Sequence, residues 1–335
     1  MNSKPTPLPA LAAPPPLTKA ELILLPIEDR LASIDRHVFY TPEFGKAVRS
    51  MKHVLYERTT SGLHTNIVMH GPEGSGKTSL AEHFLSQNPP IPADPIARQP
   101  VLFSKFSRSA SARDLAHAVL ASGGWPQVRN SNSDELAWIQ IKLFLEKVQA
   151  RLLILNHADR LMRGDAISEK GVDLLEDLLD LTPCPIMIIG QDGFGDVIEK
   201  CDRLAGRFPL HLPISRMPYG KDWLTTCNLL NEKLPFRTTE ILTDEMPERL
   251  QIAAAGGMPD LMRLTQAASR IAIFGEKSLE LTRRHYLAAF ACRPGRGPNP
   301  FDKIPLETLR MTKQSSPTVT NRAAVLWAKN RSDSS

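Results

Sequence analysis

Residues 66–80 read NIVMHGPEGSGKTSL, and this stretch decides the fold. Its first five residues form an apolar run of the length and character of a buried strand. The next eight, Gly71-Pro72-Glu73-Gly74-Ser75-Gly76-Lys77-Thr78, match the pattern G-x-x-x-x-G-K-[ST], and an amphipathic stretch follows from Ser79. Strand, glycine-rich turn and helix in that order make a phosphate-binding loop. The glycines let the backbone approach closely, so that successive N–H groups and the helix N-terminus point at phosphate oxygens. Lys77 adds charge at the β and γ groups, and Thr78 places a hydroxyl on Mg²⁺. The loop does not identify the base. The guanine-specifying pattern N-K-x-D is absent from the sequence.

Working outward, four more short apolar runs fit buried strands: residues 100–106, 151–156, 185–190 and 207–214. Helical periodicity over 78–87, 111–121, 133–149 and 168–181 alternates with them. That alternation predicts a three-layer α/β fold, a parallel five-stranded sheet covered on both faces. After residue 215 the strand signals stop, and successive helical stretches to about residue 292 predict a small α-helical lid domain. The expected division is a Pro-rich arm at 1–18, an α/β domain with N-terminal helices at 19–214, the lid at 215–292, and a flexible basic tail at 293–335. A short docking helix is expected near Asn321 to Lys329.

The totals agree with a globular chain. With 335 residues there is room for a full nucleotide-binding domain and a second, smaller one. A hydrophobic share of 42% with 23% charged residues excludes a disordered or fibrous protein. A formal net charge of +5 favours acidic partners. Cys184, Cys201, Cys227 and Cys292 have no paired spacing and read as reduced thiols of a cytoplasm. Prolines interrupt the N-terminal apolar patches, and no run of about 18 apolar residues occurs, so neither export nor membrane insertion is expected.

The strand at 151–156 is where hydrolysis needs an acid for the metal and a second acid for the attacking water. Asn156 stands at the first position and His157 at the second, with Asp159 the nearest carboxylate. An amide adds no negative charge, and a neutral imidazole can act as a base. Two readings stand: impaired hydrolysis with binding retained, or hydrolysis supported by Asp159. Gln191, after the fourth strand, is placed to sense the γ-phosphate. Arg207, just before the fifth strand, is a candidate arginine finger toward a neighbouring subunit, with Arg203 in reserve.

Several stretches together resemble the TniB/TnsC transposition ATPases of the AAA+ class. They are Leu25-Pro26 with Glu28-Asp29-Arg30, Ile34-Asp35-Arg36 to Tyr40-Thr41-Pro42, the phosphate loop, residues 152–159, Leu204 to Phe208, and Gly256-Gly257-Met258-Pro259-Asp260-Leu261. The resemblance implies ATP and Mg²⁺ as cofactors and self-assembly as a ring or helical filament on double-stranded DNA. It further implies a transposase and a targeting protein or complex as partners. For sequence-tolerant DNA contact it implies the basic loop after the second strand, here Lys105, Arg108 and Arg113, with Ser104, Ser107 and Ser109 as donors to phosphates. This chain departs from the family at the acid pair replaced by Asn156 and His157. It departs again at the lid, where the arginine position counted from Gly257 carries Asp260; Arg263, one turn on, reads either as a substitute or as a solvent-facing arginine. A helicase loader or replication-initiation ATPase shares the same core and is the alternative function.

Overall fold

The computed structural model describes residues 17–36, 41–94, 96–108, 111–125, 133–293 and 297–315. Expectations for Ser109, for most of the Pro-rich arm and for the helix at Asn321 to Lys329 lie outside the described residues.

The centre is a parallel sheet of β1 (Ile67–His70), β2 (Val101–Lys105), β3 (Leu152–Asn156), β6 (Ile186–Ile189) and β7 (Leu210–Pro213), in the order β2-β3-β6-β1-β7. All four pairings are parallel, and Lys105, Asn156 and Ile189 lie in register at the carboxyl ends of their strands. Side chains alternate across the pleat. From β3, Leu153 and Leu155 join one core with α5 (Ala112–Ser122), α6 (Asp134–Lys147), α7 (Glu169–Leu181) and α8 (Phe194–Glu199). Leu152 and Ile154 join the opposite core with α3 (Pro42–Thr60) and α4 (Lys77–Ser86). The expected three layers and five strands are therefore present. Sequence reading missed α8, the short α9 (Asp202–Ala205) and a two-residue hairpin of β4 (Met162–Arg163) with β5 (Ala166–Ile167).

The lid is built from α10 (Lys221–Lys233), α11 (Met246–Ala254), α12 (Met258–Arg270) and α13 (Arg283–Ala291) around fully buried Trp223 and Tyr286. A small parallel pair, β8 (Thr238–Thr239) with β9 (Glu280–Leu281), corrects the expectation of a lid without strands. Two boundaries also move. The helices α1 (Lys19–Leu24) and α2 (Ile27–Arg36), expected with the α/β domain, belong with the lid: Ile34 is buried in its core, and Arg30 Nη2 donates to the Pro235 carbonyl at 2.9 Å. Part of the expected flexible tail is likewise built into the lid. Phe301 stacks near Tyr286 and Phe290, and α14 (Leu306–Ser315) lies on α11 with Leu309 buried. Among the described residues no helix is long and apolar enough to cross a membrane.

Candidate functional site

The loop between β1 and α4 has glycine where no other residue fits. A Cβ on Gly71 would lie 2.0 Å from the Ile214 carbonyl oxygen, and Gly74 and Gly76 hold φ of +77° and +106°. Left-handed Gly76 is the N-cap of α4 and supplies no side-chain cap. The first-turn N–H groups are thus left for an incoming oxygen ligand. The Lys77 ammonium donates to the carbonyls of Gly71 at 2.6 Å and Pro72 at 2.8 Å. Burial lowers its pKa, opposed by the charges of Asp159, Asp192 and Glu73. Turned backbone, helix N-terminus and ammonium are a donor set that fits phosphate groups.

A polar cavity opens over this loop and brings together Lys77, Thr78, Ser79, Asn156, His157, Asp159 and Gln191. The sequence-predicted catalytic and metal positions of the chain therefore converge, apart from Arg207. Asn156 Nδ2 donates to Thr78 Oγ1 at 3.1 Å, while its Oδ1 accepts the His157 N–H at 2.8 Å. That backbone donor fixes the amide orientation. Asn156 thus turns nitrogen, not oxygen, toward Thr78. Thr78 and Asp159 bring a hydroxyl and a carboxylate to the cavity, which Glu73 and Asp260 also line. His157 sits in the left-handed region at φ 61°, ψ 40°, a conformation costly for a non-glycine residue and concentrated at functional sites. Its pKa is lowered by burial and then by Arg160, which keeps the ring neutral near pH 7.

Arg207 does not line the cavity of its own chain. It donates to Asp180 Oδ1 of α7 at 2.5 Å. Arg203 is gathered by Glu169, Asp173 and Glu176 of the same helix.

The lid residues singled out in the sequence come up against this site. Gly256 and Gly257 bring the start of α12 against the phosphate loop: a Cβ on Gly257 would lie 2.7 Å from the Gly74 carbonyl oxygen, and one on Gly256 2.3 Å from that of Met217. Asp260 and Arg263 border the polar cavity as an ion pair at 3.0 Å; Asp260 is buried, while Arg263 is exposed, as its solvent-facing reading has it. Arg216, two residues beyond Ile214, lines the same cavity and was not singled out. Beside it lies an apolar cavity of about 240 Å³ walled by Pro42, Phe44, Ile214, Met217, Met258 and Met262. Flexible, polarisable methionines suit a planar base. Met217 follows β7 while Met258 and Met262 lie one turn apart on α12, and nothing in the chain pattern joins the two segments.

On the basic loop, Lys105 and Arg108 are exposed, as contact with phosphates requires. Arg113 is in the first turn of α5 and pairs with Asp134 at 3.2 Å. Ser104 is 6% exposed and faces the core, so it is not an available donor.

Comparison with known proteins decides the family. The profile of the family described as "TniB: Bacterial TniB protein" matches residues 30–215, more than half of the chain. The chain belongs to the TniB family. No curated protein matches it. Among solved structures, this TniB-family chain is similar to the Aeropyrum pernix ORC2 protein (ADPNP-ADP complexes), at 13% identity and TM-score 0.53 over 83% of this chain and 73% of that one. It is also similar to the Aeropyrum pernix ORC1 protein in complex with DNA, at 17% identity and TM-score 0.53 over 78% and 68%. A third likeness is Cdc6p from Pyrobaculum aerophilum, at 13% identity and TM-score 0.52 over 77% and 69%. At these identities the likeness is one of fold, and the TniB-family chain has the three-layer P-loop AAA+ fold with a helical lid.

Proposed function

We propose that this TniB-family protein is an ATP-binding regulator of DNA transposition. It would assemble with copies of itself on double-stranded DNA in the cytoplasm and link a target site or targeting complex to a transposase. The observation that carries the reading is the closure of the lid directly onto the phosphate loop, Gly257 against Gly74. Lid and α/β domain then respond together to what occupies the cavity between them. Lys77 and the first turn of α4 hold the phosphates, and the methionine-walled cavity takes the base. Thr78 and Asp159 are the residues that would hold hydrated Mg²⁺, which supplies charge neutralisation at the phosphates. Arg207 reaches a neighbour's γ-phosphate after leaving Asp180. Gln191 senses the same group from the end of β6.

With Asn156 donating to Thr78 and His157 in place of an acid, hydrolysis is slow and the assembly long-lived. Lys105 and Arg108 contact DNA phosphates without reading bases. The fold shared with the ORC and Cdc6 structures supports replication initiation or helicase loading as the second reading.

Electron microscopy of the full chain with ATP and duplex DNA tests the proposal. A ring or filament enclosing the duplex is expected, dependent on Lys77 and weakened by Lys105→Ala with Arg108→Ala. Pull-down with the transposase of the same element separates the two readings, because a helicase loader retains a helicase instead. Particles that stay monomeric with both ligands would overturn the assembly reading.

A further inference from the structure

Three cationic side chains line the polar cavity: Lys77, Arg216 and Arg263. Arg263 is neutralised by Asp260. The other two are held by neutral groups. Lys77 donates to the Gly71 and Pro72 carbonyls, and Arg216 donates from Nε at 3.2 Å and Nη2 at 2.6 Å to the next carbonyl in the chain, that of Glu73. Among the described residues neither cation forms an ion pair with a carboxylate. Two positive charges without a direct carboxylate partner therefore flank one glycine-rich loop; Asp159, Asp192 and Glu73 act on Lys77 from a distance, and Arg216 opposes them through like-charge repulsion. Such an arrangement is favourable when an anion lies between them. Arg216 also borders both cavities, the apolar one and the polar one, which share Gly76, Ser79 and Pro259 as well. A guanidinium has five N–H donors in a planar fork. With two of them on Glu73, three are left toward the seam.

We infer that Arg216 is a phosphate-binding residue of the nucleotide site, placed at the seam where the base cavity meets the polar cavity and so directed at the phosphates nearest the ribose. It contributes from the end of β7 the charge that Asp260 does not contribute from the lid. This rests on the nucleotide-binding reading proposed above. Lys77 and Arg216 have different partners: Lys77 serves the terminal phosphates, and Arg216 serves the inner ones shared by ATP and ADP.

The test is titration of the full chain with ATP, ADP and adenosine, adenosine being read by displacement of a fluorescent ADP. Wild type is compared with Arg216→Ala, Arg216→Gln, Arg216→Lys and Lys77→Ala, with melting curves as the check on folding. Arg216→Ala is expected to weaken ATP and ADP alike, by about tenfold, and to leave adenosine unchanged. Glutamine can still donate to the Glu73 carbonyl but carries no charge, so Arg216→Gln should lose as much as alanine, whereas lysine restores most of the affinity. If glutamine binds like wild type, Arg216 merely shapes the loop and the inference is wrong. It is equally wrong if adenosine weakens with ATP. Lys77→Ala keeps the two proposals apart: undiminished ATP binding there overturns the nucleotide site itself, while loss there with an unaffected Arg216→Ala overturns only the role of Arg216.

Discussion

Asn156 and Thr78 are joined by a hydrogen bond of 3.1 Å in which the amide donates, so the hydroxyl expected on Mg²⁺ faces a donor where hydrolytic sites of this type have a carboxylate. The substitution Asn156→Asp exchanges that nitrogen for a charged oxygen and keeps the acceptor for the His157 N–H. Mg²⁺-dependent phosphate release should rise by roughly tenfold or more, a modest share of what one preorganised charged group contributes in a site of this kind. Phosphate release measured at saturating ATP checks this. An unchanged rate with intact ATP binding would show that the amide is not what limits hydrolysis.

His157 makes a pH-dependent prediction. Its pKa lies below the ordinary 6.5 because burial and Arg160 disfavour the imidazolium, with Asp159 acting in the opposite sense. The ring is neutral above pH 6.5 and takes a proton only as pH falls through its lowered value. Residual phosphate release is therefore expected to be flat from about pH 7 to 8 and to decline on acidification, and His157→Ala should remove that acid limb. The unfolded chain binds this proton at higher pH than the folded one, so His157 also makes stability fall, not rise, as pH drops through the same window. A limb that survives in His157→Ala belongs to another group.

The sheet and the phosphate loop were legible because each rests on local pattern. Five apolar runs became five strands, and Gly71, Gly74 and Gly76 occupy backbone positions that glycine alone adopts readily. Asn156, His157, Asp159 and Gln191 were legible for the same reason, as strand ends beside the loop. What could not be read depends on tertiary packing. Whether α2 covers the sheet or the lid is decided by Ile34 among residues some 200 positions away. Arg216 follows no recognisable spacing, and that the Asp260–Arg263 pair of α12 borders the cavity is seen only when α12 is placed on the loop.

Arg207 and Arg203 were equivalent candidates in sequence, and their surroundings separate them. Arg203 is held by three carboxylates of α7, whereas Arg207 has the single exposed partner Asp180. An exposed pair of one cation and one anion is weak and screened by salt, so of the two arginines Arg207 is the less firmly held. Arg207→Ala should leave the melting temperature and ATP binding of the monomer nearly unchanged while abolishing ATP-dependent growth in light scattering. Asp180→Asn should retain growth or lower the protein concentration it requires. Assembly by Arg207→Ala equal to wild type would remove this residue from the subunit contact.

The segment after Arg293 makes the last prediction, because a buried cation is among the groups that attach it to the lid. The Arg249 side chain is 4% exposed; it pairs with Glu245 at 2.6 Å and donates to the carbonyls of Pro300 at 2.5 Å and Ile304 at 2.9 Å. The same stretch inserts Phe301 against Tyr286, and Arg310 pairs with Glu248 at 2.6 Å from α14. Arg249→Ala leaves buried acceptors without donors and should destabilise the lid by about 3 kcal/mol, the scale for removing one member of a buried charged network. Phe301→Ala should lose a comparable amount through the cavity it opens. Both are expected to lower the melting temperature and to expose residues 297–315 to protease before the α/β domain is cut. If either variant melts like wild type while that stretch is cleaved, the segment lies on the lid without supporting it. The α10–α13 helices would then be stable without it, and removing residues 297–335 would leave nucleotide affinity unaltered.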